Sequence, residues 1–303
     1  MRLVTFVDQH DELRTGAVVG EHVIDLTDTV SALPLPVSTA RSGLTPAGML
    51  RLLYAGTEGL AVIRQAVEEV IAADTLHRQP LLHATRLAAP VPRPGKIVAI
   101  GRNYADHAKE TGVQPFERPR VIAKLPSSVV GPGAIVRRAG GVTKLDLEAE
   151  LAVVIGQFAS QVPRGQALKV VAGYTALNDL SAREFQFDVS PAQTTFAKSM
   201  DGFCPMGPWL VTADEIADPQ DLELRSFLNG NPMQHGNTRD MLFPVDRIIE
   251  YLSQYMTLEP GDVIATGTPA GSGAFRDPPV WLEPGDRVRI DISRIGTLEH
   301  RIG

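Results

Sequence analysis

Short apolar runs separated by turn residues dominate the hydrophobic pattern of this chain. Near the N-terminus, such runs predict a small β-meander over residues 3–7, 16–19 and 23–26. A stretch rich in Pro, Ser, Thr and Gly over 31–48 is typical of a loop. Apolar residues then recur at three- and four-residue spacing from Thr45 and again over 58–73, which predicts helix.

The segment 89–95, which alternates proline with other residues and ends in glycine, interrupts all regular structure. We therefore predict a small α+β N-terminal domain over 1–92 and a larger domain over 93–303. In the larger part the apolar runs are mostly short and bounded by turns, so the predicted fold class is mainly β with some α. The turn Leu-Glu-Pro-Gly-Asp occurs at 258–262 and at 282–286, and its glycine suits a positive φ.

Composition narrows the class of partner. With 44% hydrophobic and 21% charged residues the chain is an ordinary globular protein. Its net charge of −6 without a long basic run argues against nucleic acid and anionic membranes, and favours a small-molecule partner. Cys204 is the single cysteine, and no apolar stretch matches a secretory signal or a membrane span, so we expect a reducing, cytoplasmic location.

The most informative pattern is the alternation of acidic and apolar residues over 145–156. If this segment is a strand, Glu148 and Glu150 share one face. Two adjacent carboxylates that are partly desolvated need a cation or a shared proton. A solvated edge strand with an acidic outer face would give the same alternation, and the residues alone leave both interpretations open.

Asp179 follows the next apolar run and could be a third ligand. Seen alone, it is more often a helix cap or part of an Asx turn. Together with Glu148 and Glu150 it would complete an all-oxygen site suited to Mg²⁺ or Mn²⁺. Ca²⁺ is compatible as a non-native occupant, whereas zinc is less favoured because no His or Cys cluster accompanies the acids.

A second candidate group is His107 with Glu110. Their spacing of three residues places them side by side if the segment is helical. A carboxylate orients an imidazole, and such a pair can activate water as a general base. The same spacing occurs in incidental ion pairs on surface helices, which is the competing interpretation.

Four segments, 101–107, 148–156, 178–183 and 266–271, resemble the fumarylacetoacetate hydrolase family in order and spacing. The resemblance covers about residues 95–303 and points to acylpyruvase-like and 2-hydroxyhepta-2,4-diene-1,7-dioate isomerase-like members with a small N-terminal domain. It implies a mixed β-sandwich roll as the catalytic domain, a homodimer, and metal binding by Glu148, Glu150 and Asp179. In acylpyruvase-like members a His–Glu pair on a mobile lid, here 103–118, activates water.

The resemblance also assigns residues around the metal. It places Lys124 and Lys198 facing the pocket as catalytic groups, although without it the residues favour an exposed lysine at Lys124. Two positions depart from the family pattern, because Glu184 stands where many members have Asp and Ser272 where Val is usual. The residues predicted to contact the substrate are Arg102, Tyr104, Arg183, Gln186 and Thr268.

The resulting hypothesis is hydrolytic C–C cleavage of an acylpyruvate or related 1,3-dicarbonyl 2-oxo acid through a metal-bound enolate, with water activated by His107 and Glu110. Oxaloacetate decarboxylation and keto–enol or hydroxymuconate-type isomerisation pass through the same enolate and stay open as alternatives. A different class of function, a catalytically silent metal-binding protein, would not need His107, Glu110, Lys124 and Lys198 together.

Overall fold

The computed structural model describes residues 1–36, 45–112 and 114–303. Its strands are β1 (Arg2–Val7), β2 (Leu13–Val19), β3 (His22–Asp25), β4 (Arg86–Leu87), β5 (Ile97–Gly101), β6 (Arg120–Lys124), β7 (Val129–Val130), β8 (Ile135–Val136), β9 (Leu145–Asp146), β10 (Ala149–Ile155), β11 (Val171–Asn178), β12 (Ser181–Ala182), β13 (Cys204–Thr212), β14 (Glu223–Leu228), β15 (Asn231–Asn237), β16 (Val263–Ala265), β17 (Arg287–Ile292) and β18 (Gly296–Ile302). The α-helices are α1 (Thr27–Ala32), α2 (Gly48–Ala72), α3 (Ala105–Glu110), α4 (Arg164–Ala167), α5 (Glu184–Phe187), α6 (Thr194–Ala197) and α7 (Val245–Tyr255).

Two large sheets carry the fold. The larger runs in the order β3-β2-β1-β13-β11-β10-β16-β5-β6, and the smaller in the order β15-β14-β17-β18-β8. Every residue of β10 and β11 is buried, which explains why both strands are almost entirely apolar. One core cluster contains apolar residues of both sheets, so the sheets pack against each other. The predicted fold class, mainly β with some α, is confirmed.

The N-terminal meander pairs as predicted, with β1 antiparallel to β2 and β2 antiparallel to β3. It is also continuous with the larger sheet, because β1 pairs with β13. The helical pattern from Thr45 onward corresponds to α2, which is kinked at Gly56, where φ is 62°. The loop predicted over 31–48 begins later than expected, since α1 continues to Ala32, and residues 37–44 of it lie outside the described residues. The division at residue 92 stays a prediction.

Sheet register brings four chain segments to one edge. Ala149, at the start of β10, lies opposite Asn178, at the end of β11. On the other side of β10, Ala152 lies opposite Ala265, at the end of β16. Strand β16 is parallel to β5, whose last residue is therefore at the same edge. The residues that follow β5, β11 and β16 consequently converge on the start of β10. In the described residues no helix is long and apolar enough to cross a membrane.

Candidate metal centre and active site

Glu148, Glu150 and Asp179 meet at this edge. One carboxylate oxygen of each lies within 4.8 Å of the others. The three residues are only 5%, 2% and 1% exposed, respectively. Because β10 lies between β11 and β16, the alternative of a solvated edge strand is wrong. Asp179 accepts hydrogen bonds from two lysines, so its carboxylate faces this cluster rather than capping a helix.

Three buried cations surround two of these carboxylates. Lys198 Nζ donates to Glu148 Oε2 and to Asp179 Oδ2, both at 2.6 Å. Lys124 Nζ donates to Asp179 Oδ1 at 2.7 Å, and Arg183 Nη2 donates to Glu148 Oε1 at 2.7 Å. Lys124 is buried, so its alternative placement on the surface is wrong. Burial alone would raise the pKa of Glu148, but Lys198, Arg183 and His107 hold this pKa well below its ordinary value.

Glu150 differs from the other two carboxylates in its partners, and these partners show whether a cation fits the site. Its Oε2 accepts a hydrogen bond from the Gly267 backbone N–H at 2.7 Å, and no cationic side chain of the described residues lies within ion-pairing distance of it. Burial, with Asp179 and Glu148 nearby, raises the pKa of Glu150 well above its ordinary value. A divalent cation among the three carboxylates would remove this cost, and the all-oxygen donor set suits Mg²⁺ or Mn²⁺. The residues therefore fit the predicted metal.

The turn after β16 holds Glu150 in place. Gly267 has a φ of 100°. A Cβ on Gly267 would lie 2.7 Å from Asn103 Cβ, so this close approach requires glycine. The Thr268 hydroxyl donates to the Ala149 carbonyl at 2.9 Å and accepts from Gln234 Nε2 at 2.6 Å. The first of these hydrogen bonds fixes the turn against the first residue of β10, and the second fixes it against β15.

His107 and Glu110 lie on α3 and touch as predicted. His107 Nδ1 is 3.0 Å from Glu110 Oε2, and Glu110 Oε1 accepts a hydrogen bond from the Gly271 backbone N–H at 2.9 Å. His107 is buried and packs against the edge of the Phe275 ring, with 5.5 Å between the ring centroids. Glu110 therefore anchors α3 to the turn after β16 while it holds the imidazole, and the interpretation as an incidental surface pair is wrong.

These groups line one cavity of about 150 Å³. That volume is smaller than the range of roughly 300–1,000 Å³ of pockets for drug-sized ligands, so the cavity favours a small substrate. Of the predicted site residues, the structure brings to the cavity wall His107, Lys198, Glu148, Glu150, Asp179, Arg102, Arg183, Gln186 and Thr268. Lys124 lies behind the wall, where it contacts Asp179.

Tyr104 is the exception. The structure places it in the hydrophobic core and outside the cavity wall. Its backbone forms an isolated β-bridge with Met241, and its side chain is fully buried. The position next to Asn103 in the motif gave no indication that the chain turns this side chain away from the cavity.

Asp146 supports the site and was missed in the sequence. Its Oδ2 accepts hydrogen bonds from Arg183 Nε at 2.9 Å and from Arg183 Nη2 at 2.8 Å. Its Oδ1 accepts from the backbone N–H of Gly273 at 2.7 Å, and Oδ2 accepts from Ala274 at 3.1 Å. Asp146 thus fixes both Arg183 and the turn that carries Phe275. The alternation that singled out Glu148 extends back to Asp146, so the signal was present.

The buried carboxylate triad lies beside an imidazole–carboxylate pair, and its all-oxygen donor set fits a divalent cation. The sequence signature described as fumarylacetoacetate (FAA) hydrolase C-terminal matches residues 96–303. This chain therefore belongs to the fumarylacetoacetate hydrolase family.

Individual relatives fall into more than one reaction class. Human oxaloacetate tautomerase FAHD2A, mitochondrial, is 41% identical, and the match covers 100% of this chain and 91% of the relative. The structure of fumarylacetoacetate hydrolase from psychrophilic Exiguobacterium antarcticum is 35% identical, with a TM-score of 0.81 over 100% of this chain and 99% of that chain. Maleylpyruvate hydrolase from Sphingobium sp. SYK-6, solved with manganese(II) ion and pyruvate, is 32% identical, with a TM-score of 0.76 over 100% of this chain and 98% of that chain.

Proposed function

We propose that this protein is a Mg²⁺- or Mn²⁺-dependent enzyme that moves a proton at the carbon next to the keto group of a small 2-oxo acid. The single observation that carries the proposal is the placement of His107, oriented by Glu110, in the same small cavity as the carboxylate triad. The oxaloacetate tautomerases that are similar to the chain over its whole length support this choice of reaction.

The side chains divide the chemistry among them. Glu148, Glu150 and Asp179 would hold the cation, which supplies Lewis-acid stabilisation of negative charge on substrate oxygens when it is bound. Because Glu110 holds Nδ1 of His107, Nε2 is the nitrogen left to take a proton from the substrate carbon and return it.

Two further groups stabilise charge at a substrate oxygen. The Lys198 ammonium lies between Glu148 and Asp179, and its positive charge is maintained there because these two carboxylates outweigh the effect of burial and raise the pKa of Lys198. Arg183 is held in the same way by Asp146 and Glu148. Both cations would stabilise the negative charge that develops when the carbon loses its proton.

Hydrolytic C–C cleavage of an acylpyruvate is the second candidate. The fold likeness to maleylpyruvate hydrolase favours it. In this reaction His107 Nε2 would take the proton from a water molecule instead of from carbon, and the hydroxide would add to the distal carbonyl. The bond between that carbonyl carbon and the neighbouring carbon then breaks, which releases a carboxylate and the enol of pyruvate.

One assay separates the candidates. The protein is stripped with EDTA, reloaded with Mg²⁺ or Mn²⁺, and supplied separately with the enol form of oxaloacetate and with acetylpyruvate, beside Glu150→Gln and His107→Gln variants. We expect the enol absorbance of oxaloacetate to decay in a metal-dependent reaction that releases no pyruvate. Neither variant should catalyse this decay. Metal-dependent release of pyruvate from acetylpyruvate would favour the hydrolase instead. Metal binding with no turnover of either compound would favour the silent metal binder.

A further inference from the structure

Two arginines in the cavity wall have no carboxylate partner. Arg102 and Arg120 both line the cavity that contains the triad. Every other cation in that wall is paired, because Lys198 and Arg183 form salt bridges with Glu148, Asp179 or Asp146. Among the described residues, neither Arg102 nor Arg120 has an acidic side chain within ion-pairing distance.

The strand register directs the side chain of Arg120 toward the cavity. Arg120 begins β6 and lies directly opposite Gly101, the last residue of β5. A Cβ on Gly101 would lie 3.4 Å from Cδ and 3.8 Å from Cγ of Arg120. The methylene groups of Arg120 therefore lie over the glycine, at van der Waals distance from a Cβ placed there.

Arg102 is fixed by a different feature. It has a φ of 57°, which is uncommon for a residue other than glycine and costs free energy that the surrounding fold must offset. Its guanidinium lies over the ring of Phe116, 5.9 Å from the ring centroid. Burial, followed by the positive charges of Arg120 and Arg183, lowers the pKa of Arg102. The pair thus forms a region of surplus positive charge in a partly buried wall.

We propose that Arg102 and Arg120 form a second carboxylate subsite, which makes the enzyme selective for 2-oxo dicarboxylates, such as a four-carbon diacid, over 2-oxo monocarboxylates. The proposal rests on the proposed function for the position of the 2-oxo acid head at the triad. The second carboxylate of the substrate would accept hydrogen bonds from the two guanidinium groups and neutralise their mutual repulsion. The small size of the cavity agrees with a short diacid.

The test compares binding of a dianion and a monoanion. Calorimetry with the Mg²⁺-loaded protein measures the dissociation constants of oxaloacetate and of pyruvate for the wild type, Arg102→Gln and Arg120→Gln. Arg137→Gln is the matched control, because Arg137 is exposed and lies outside the cavity wall. A thermal melt of each variant establishes that it is folded. The variant Arg120→Lys keeps the positive charge and tests whether charge alone supports binding.

We expect the wild type and Arg137→Gln to bind oxaloacetate at least about tenfold more tightly than pyruvate. Each cavity variant should weaken oxaloacetate binding by about tenfold and leave pyruvate binding within about twofold, with partial recovery in Arg120→Lys. The subsite would be overturned if the wild type bound both acids with equal affinity or did not bind oxaloacetate. It would also be overturned if the folded variants lost affinity for both acids equally. Discrimination in binding without turnover of any 2-oxo acid would instead leave the subsite standing and refute the proposed reaction.

Discussion

Glu110 links His107 to the turn that follows β16. One of its carboxylate oxygens lies 3.0 Å from His107 Nδ1, and the other accepts the Gly271 N–H at 2.9 Å. The same side chain therefore sets the direction of the imidazole and the position of the helix that carries it.

The first prediction concerns this link. Glu110→Gln keeps the size of the side chain but loses the charge that stabilises a protonated His107, so kcat should fall by about 10- to 100-fold with little change in KM. Steady-state kinetics with the reloaded enzyme checks this. Glu117→Gln is the control, because Glu117 is exposed on the same connection and lies outside the cavity wall. An unchanged kcat in Glu110→Gln would remove Glu110 from the mechanism.

The second prediction contrasts two neighbouring carboxylates in the metal-free protein. Glu148→Gln removes one of the two carboxylate partners of both Lys198 and Arg183, so the free energy of unfolding should fall by up to about 3–5 kcal/mol. Glu150→Gln removes a buried charge that has no cation, so its free energy of unfolding should not fall. Urea unfolding in EDTA measures both values. An equal fall in the free energy of unfolding in the two variants would mean that Glu148 and Glu150 do not differ in their pairing with cations.

The third prediction follows from the same pair with metal added. A ligand that binds only the folded protein raises the free energy of unfolding by about 2.7 kcal/mol at a free concentration of 100 times Kd. Excess Mn²⁺ should therefore raise the melting temperature of the wild type and leave that of Glu150→Gln unchanged. A similar rise in the variant would place the metal away from Glu150.

The fourth prediction concerns Asp146. Asp146→Asn weakens five hydrogen bonds, from Arg183, Leu147, Gly273 and Ala274, and removes one of the two carboxylates paired with the buried Arg183 guanidinium. We expect a loss of about 3–5 kcal/mol in the free energy of unfolding. Asp188→Asn breaks an exposed pair with Lys144 and should cost no more than about 1 kcal/mol. Equal costs in the two variants, measured by urea unfolding, would contradict the role of Asp146.

The fifth prediction is a pH dependence of stability from His300. Burial lowers its pKa from 6.5 to about 4, and Asn178 Nδ2 lies 2.8 Å from its Nε2. Between these two values the unfolded chain binds a proton that the folded chain does not, so folding stability falls as the pH drops from 6.5 to 4. The full effect is about 3 kcal/mol.

The variant His300→Gln isolates this contribution from the carboxyl groups that titrate in the same range. From pH 7 to pH 4 the free energy of unfolding of the wild type should fall by about 3 kcal/mol more than that of the variant. Denaturant curves recorded at each pH give the difference. Parallel pH profiles would mean that His300 titrates alike in both states.

Local patterns in the sequence predicted much of the fold. The turns at 258–262 and 282–286 required glycine at a positive φ, and Gly261 and Gly285 have φ of 87° and 99°. The alternation of acids also placed Glu148 and Glu150 on one face, because strand periodicity is a local property. The convergence of Asp179 on these two residues depends on the pairing of β10 with β11, which the residues alone could suggest but not establish.

Features that depend on tertiary pairing could not be predicted in the same way. Arg120 reaches the cavity because β6 places it opposite Gly101, 19 residues earlier in the chain. Tyr104 lies in a motif next to site residues, yet its bridge to Met241 places it in the core. Lys124 looks like an ordinary surface lysine in the sequence, and its burial depends on tertiary contacts with Asp179 and with the carbonyls of Lys198 and Phe203.

Proton exchange at the carbon next to the keto group tests the central claim most directly. ¹H NMR follows the loss of the C3 proton signal of oxaloacetate in D₂O with the wild type, with and without Mg²⁺, and with His107→Gln and Glu150→Gln. We predict that the metal-loaded wild type exchanges this proton faster than buffer alone does. The faster exchange should be absent without the metal and in both variants. Exchange at the buffer rate with the metal-loaded wild type, or equal exchange in the folded His107→Gln variant, would contradict the account.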